Sequence, residues 1–466
     1  NGQHLLVPIF SENVDTFESV ASRSAFLFDA IVSIGCRAEE GFSSATYRLL
    51  QARLREHLTE ILIDCSTRST LETVQAVAIM AGYSENGSVL IAIALRFAIE
   101  SGLPETVNEL MDLLAQDSGI ASAEEENLYR ITRIWYGVCN LELFFSLDGG
   151  KLPGITVDIS SRRIRALVKH PASTAVDIRL LSQVELNIIR VNAYRIIATQ
   201  CAAAPLSDGK ELRTTVNDSR IELRLWLEEW TAIISADTVA HQRSFALLNL
   251  HIQYEWAWTT LHLKALSDFG IENIAIMADF QRDMVRTAKE AASRHLQLLL
   301  EASSSPASPT ASPVPSQDGQ MSTYLTTFKW TMDYVWAKCA FSVLLVLKLA
   351  FLLREPPAEL MRLLRDAHKV LGELEKVTTG HIAYFSILQT SVEKCDGALR
   401  EYMSQQSTVP SLLESSASRE EGASAEDDFQ RYAPGEFVFE WDFPGLNLRN
   451  VPLGWQDLFI DLDNVL

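Results

Sequence analysis

From Ser24 onward, long segments carry apolar residues every third or fourth position, and few alternate apolar with polar. That spacing lines the apolar groups along one side of an α-helix, whereas a half-buried strand needs a period of two. Phe26, Ala30, Ile34 and Ala38 stack in this way within 24–39. Leu50, Leu54, Leu58 and Leu62 do so within 43–63, with Arg53, Arg55, Glu56 and Glu60 on the wet side. The same period predicts helices over 71–83, 89–101, 105–114, 123–147, 182–201, 218–234, 244–266, 271–301, 323–353, 357–376 and 381–403. Punctuation supports the boundaries. Ser69 or Thr70 can cap the helix from Leu71, Gly102 suits a left-handed stop, and Pro104 suits a first helical turn. Asp148-Gly149-Gly150 breaks the helix before it, and 151–158 (KLPGITVD) reads as loop. The expected fold class is therefore all-α.

Two stretches interrupt the pattern. SSSPASPTASPVPSQ is a Ser/Pro run that cannot build a core, and residues 404–428 are polar, Ser-rich and acidic. The expectation is a large, irregular helical domain in two lobes, 1–302 and 321–403, joined by a disordered linker at 303–320. A second disordered linker, 404–428, leads to an acidic and hydrophobic tail at 429–466. No short fixed-period repeat of the solenoid type is present.

Hydrophobic residues make up 47% of the 466 and charged residues 21%, a globular composition. The net charge of −20 repels phosphate, so this segment is not expected to grip DNA alone. The six cysteines are widely spaced and form no CxxC, which excludes a zinc ribbon or finger here. Cys36, Cys139 and Cys339 lie in apolar stretches and are expected to be buried free thiols. The chain begins at Asn1 without a signal segment, which suggests a piece of something longer. Val335 to Leu353 is apolar and nearly long enough to span a bilayer, but Lys338 and Lys348 interrupt it. A core helix is the expectation there, with no membrane contact.

Nothing in the chain points to enzyme chemistry. It lacks the phosphate-binding, dinucleotide-binding, nucleophile-elbow and HExxH motifs, and its nine histidines are scattered. No catalytic residue, metal ligand or cofactor is expected.

Three stretches share a pattern with one family. FESVASRSAFLFDAIVSIGCRAEE (17–40), LETVQAVAIMAGYSENGSVLIAIALRFAIESGLP (71–104) and RITRIWYGVCNLELFFSLDGGKLP (130–153) follow each other in order and spacing. They resemble the middle regulatory region of fungal zinc-cluster transcriptional activators, and FKWTMDYVWAKCAFSVLLVLKL (328–349) resembles a later apolar helix of that family. Gln75, Tyr83, Arg96 and Gly102 fall on matched positions. The chain departs from the pattern at Ser88, Leu141-Glu142 and Lys151, where the family commonly has Trp, Asp-Arg and Arg. The resemblance implies a nuclear regulator of transcription. Its DNA contact would come from an upstream module with six cysteines and two zinc ions, and a homodimer would form upstream as well. Arg96, Arg130, Arg133 and Trp135 are the candidates for a small-effector pocket, weighed against ordinary packing and ion-pair roles.

The tail carries the remaining function. Asp457, Asp461 and Asp463 alternate with Leu458, Phe459 and Leu462, and Trp455 and Leu466 flank them. The aspartates repel one another and keep the hydrophobes in water, so a coactivator or mediator-type partner could take the segment as a short helix. Phe437 to Phe443 read instead as a stretch that docks back on the core. A helical scaffold or co-regulator without DNA binding of its own is the alternative from another class.

Overall fold

The computed structural model describes residues 9–11, 13–63, 70–84, 87–115, 122–155, 160–203, 210–237, 240–267, 278–304, 331–353, 355–376 and 383–407. Among them every regular element is an α-helix: α1 (Phe17–Arg23), α2 (Ala25–Glu40), α3 (Ala45–Ile63), α4 (Leu71–Gly82), α5 (Gly87–Glu100), α6 (Leu103–Ala115), α7 (Ala123–Asp148), α8 (Ser161–Val168), α9 (Ala175–Ala203), α10 (Lys210–Asp237), α11 (Ala240–Ser267), α12 (Asp279–Ser304), α13 (Asp333–Leu352), α14 (Pro357–Glu375) and α15 (Ala383–Ser407). The protein is all-α.

The helix starts follow local chemistry. Ser24, Thr70 and Ser122 each accept a hydrogen bond from the backbone N–H three residues on, and Thr70 and Thr73 close a reciprocal capping box. Gly102 ends the α5 segment with φ of 76° and Gly150 follows α7 with φ of 66°, a region that costs an L side chain strain. Gly87 opens α5 for a different reason. A Cβ there would lie 2.5 Å from the Ala81 carbonyl oxygen and 2.6 Å from the Phe145 ring.

Packing runs mostly between neighbours in sequence. α2 lies on α3 and α4, α4 on α5, and both α5 and α6 on α7. α7 then meets α9, and α9 to α12 pack in succession. α12 carries α13 and α14, with α15 closing over both. Buried side chains from all of these belong to one hydrophobic core. α7 is its central strut, with Leu128, Ile134, Tyr136, Val138, Leu141 and Leu147 buried around its circumference. By contrast α3 buries only Leu50 and Leu54 fully, and Leu62 is 50% exposed at its end.

α9 starts at Ala175 and α10 at Lys210, both seven or eight residues before the apolar period becomes visible. α1 and α8 are too short to show a period at all. The segments 305–330 and 408–466, which hold most of the first expected linker, most of the second and the whole acidic tail, lie outside the described residues. No single helix among the described residues is long and apolar enough to cross a membrane; α5 and α6 reach that length only as a pair bent by 55°.

Candidate functional site

The four residues singled out for an effector pocket occupy three different settings. Arg96 stands on the outer side of α5, 71% exposed, with its Nε donating to Glu100 at 2.7 Å. The buried stripe of α5 runs through Ile91, Ala94, Leu95 and Ala98, and Arg96 falls opposite it. Trp135 is packed into the core from α7. Arg130 and Arg133 do come together, but around the segment that precedes α1.

That segment is strapped into the protein. Ile9 is fully buried, and its carbonyl oxygen accepts from Gln75 Nε2 at 2.8 Å. Asp15 accepts from the Ser11 amide, from Arg23 at 2.7 Å and from Arg130 at 2.9 Å. Burial alone would raise the Asp15 carboxyl, but the Ser11 amide and the two guanidiniums outweigh it and hold it below the usual carboxylate range. Arg133 grips Asp177 of α9 with Nε and Nη2, at 2.5 and 2.7 Å, while its Nη1 donates to Ser11 Oγ and the Phe10 carbonyl. Burial works against the Arg133 charge, and Asp177 more than restores it. Gln75 and these two arginines therefore do a structural job: they bind the chain ahead of α1 to α4, α7 and α9.

At the departure from the family pattern, Glu142 is buried and accepts from Ser146 Oγ at 3.1 Å and from the Gly154 amide at 3.3 Å. It ties the loop after α7 to that helix.

A different group of polar side chains lies deeper. Gln183, Asn187, Arg190 and Tyr194 follow one another on α9 at intervals of four, three and four, the spacing of a buried stripe. Asn140 of α7 donates to Gln183 at 3.1 Å and accepts from Asn187 at 3.0 Å. Arg190 donates to Asn187 at 3.0 Å, to Thr260 Oγ1 of α11 at 3.1 Å, and pairs with Asp148 at the end of α7. Tyr194 donates to the Thr260 carbonyl. The chain of bonds thus joins α7, α9 and α11 inside the core.

Lys338 of α13 completes the group. Its Nζ donates to Gln253 at 3.0 Å and sits 4.8 Å from the centre of the Trp256 ring and 6.0 Å from that of Phe144. His295 of α12 packs against Trp256 with ring centroids 5.6 Å apart. Burial pulls Lys338 down to about 7, with Asp148 opposing and Arg190 adding to the fall. Burial likewise takes His295 to about 3, helped by Lys338, so its imidazole is neutral. Cys339 is pushed up to about 12 by burial and stays a thiol.

Several of these groups have unused hydrogen-bonding capacity. Both ring nitrogens of His295, Nε of Arg190 and Oδ2 of Asp148 are buried with no hydrogen-bond partner among the described residues. Each such vacancy costs about 1–3 kcal/mol. Among the described residues Asp148 pairs with Arg190, and no second carboxylate is left to pair with Lys338 in its ammonium form. The two signals available in the sequence were the polar stripe on α9 and the lysine in the apolar run of α13. Among the described residues, no three His, Cys, Asp or Glu side chains come close enough to hold a metal ion.

No family model and no solved structure matches the chain. Over 236 residues it is 23% identical to the transcriptional activator of proteases prtT from Emericella nidulans. The match covers 50% of this chain and spans 34% of that relative. Across half its length, then, the chain is similar to a transcriptional activator.

Proposed function

We propose that this chain is the regulatory and activation region of a fungal zinc-cluster transcription factor acting in the nucleus on RNA polymerase II transcription. The similarity to a transcriptional activator over half the chain carries the reading. The all-helical fold and the resemblance in 17–40, 71–104 and 130–153 support it. DNA contact and zinc belong to a six-cysteine module outside this chain, since its own cysteines have the wrong spacing for that cluster. The segment 455–466 recruits a coactivator or mediator-type protein through Trp455, Leu458, Phe459, Leu462 and Leu466. The helical domain holds it silent until a metabolite or partner signals. Neither catalysis nor a membrane enters this reading.

Tethering the chain to an unrelated DNA-binding domain upstream of a reporter tests it. Deletion of 455–466 is expected to lower output about tenfold, the loss of a helix-in-groove contact worth roughly 1.4 kcal/mol. Unchanged output would remove the activation role and leave a helical scaffold or co-regulator.

A further inference from the structure

We propose that the interior group built on Lys338, Arg190 and His295 binds a small carboxylate whose apolar body lies against Trp256 and Phe341. The inference rests on the regulatory reading for its biological meaning, because it names the chemical class of the signal. Three observations carry it.

The first is charge. Arg190 is 2% exposed and Lys338 6%, and the neighbouring carboxylate, Asp148, is already engaged by Arg190. The other groups that act on Lys338 are the Cys339 thiol and the neutral His295. No carboxylate among the described residues is thus left to pair with the ammonium form of Lys338. Water can fill the vacancies and loss of the proton can remove the charge, whereas an anion satisfies the ammonium form and the vacancies together. The second is unused donors. Among the described residues Lys338 makes one hydrogen bond where an ammonium can make three, and the neutral His295 ring uses neither its one N–H donor nor its other nitrogen. The third is the wall. Trp256 meets Phe341 edge to face at 6.0 Å, and the Lys338 ammonium lies 4.8 Å from the centre of the Trp256 ring, so apolar rings border the charged group.

The elements involved give the site leverage. Lys338 and Phe341 come from α13, His295 from α12, Trp256 from α11 and Arg190 from α9. An anion held among them draws α13 onto α9, α11 and α12, and so couples the helices on the two sides of 305–330.

Binding requires the ammonium form of Lys338, so the anion raises the affinity of Lys338 for its proton and is bound with proton uptake. Calorimetric titration of the purified chain with phenylacetate, and with inorganic phosphate as an anion lacking an apolar body, tests this. Saturable one-site binding of phenylacetate is expected, at least about tenfold tighter than phosphate. Its affinity should fall about tenfold per pH unit as pH rises above 7. Lys338→Met should abolish binding, and a melting temperature at or above that of the parent would show that the variant is folded. Lys338→Arg keeps the charge and should bind without that pH dependence. No saturable binding at millimolar phenylacetate, binding by phosphate alone, or binding unchanged in a folded Lys338→Met would each overturn the proposal. The reporter assay plays no part in this test, so the site and the activation role can fail separately.

Discussion

Lys338 shows how a single buried side chain can lower the stability of the fold that holds it. Its folded value near 7 lies below that of a free lysine, so between about pH 7 and 10.5 the unfolded chain binds the extra proton. Its destabilising effect is complete below pH 7 and fades as pH rises to that of the free amine. Lys338→Met should therefore stabilise the protein at pH 6 by about 1–3 kcal/mol, less than the full shift because the contacts with Gln253 and Trp256 go. Denaturant titrations at pH 6 and pH 10 measure this, and a gain of equal size at both would contradict it. Asp15 is the opposite case. Its folded value is lowered, so its contribution is present above about pH 4 and is lost as pH falls through the folded value. Asp15→Asn should cost about 3 kcal/mol at pH 7 by stranding the buried Arg130. The cost should shrink toward pH 3, and one that held constant there would argue that Asp15 acts by packing alone.

At the level of elements, helices were legible in the sequence wherever an apolar face exceeds three turns. Thr70 and Gly102 sit at the helix boundaries their chemistry implies. The start of α9 was missed because its first turn spends Asp177 on Arg133, a long-range pairing that local patterns cannot display. For the same reason Arg130 and Arg133 were visible as unusual residues, while their partners were not. Arg96 was legible as a matched position, yet its outward direction depended on which side of α5 faces α4 and α7. The interior group escaped because polar residues at helical spacing read as a wet face; only the packing of α7, α11 and α13 around α9 makes them internal. Gly87 is another long-range requirement. Gly87→Ala should cost about 1–3 kcal/mol, because the Ala81 carbonyl is backbone and cannot step aside. A thermal melt within a degree of the parent would show that α5 shifts without penalty.

For the whole molecule, one core joins α13, α14 and α15 to the helices before 305–330, with Lys338 reaching Gln253 and Lys289 reaching Glu355. That core also holds two histidines in the neutral form. Burial takes His262 to about 4 and His295 to about 3. Unfolding lets both take up protons below about pH 6.5, so stability should drop as pH falls from there to about 4. The expected slope is roughly 2–3 kcal/mol per pH unit for the pair. Chemical denaturation at pH 7, 6 and 5 checks it, and a flat profile would mean that neither ring is dry in solution. The composition could announce nine histidines but not which of them are sealed in.

The strap ahead of α1 has an engineering consequence. With Ile9 sealed in the core and Asp15 bridging two arginines, the chain enters the fold at a fixed anchor. Eight residues of any conformation span at most about 28 Å. A domain fused at Asn1 is therefore attached within that distance of α4, α7 and α9. Its local concentration beside those helices is correspondingly high, so even a weak affinity between the two would be felt. Loosening the anchor at Asp15 would move the point of attachment toward α1 and dilute that contact.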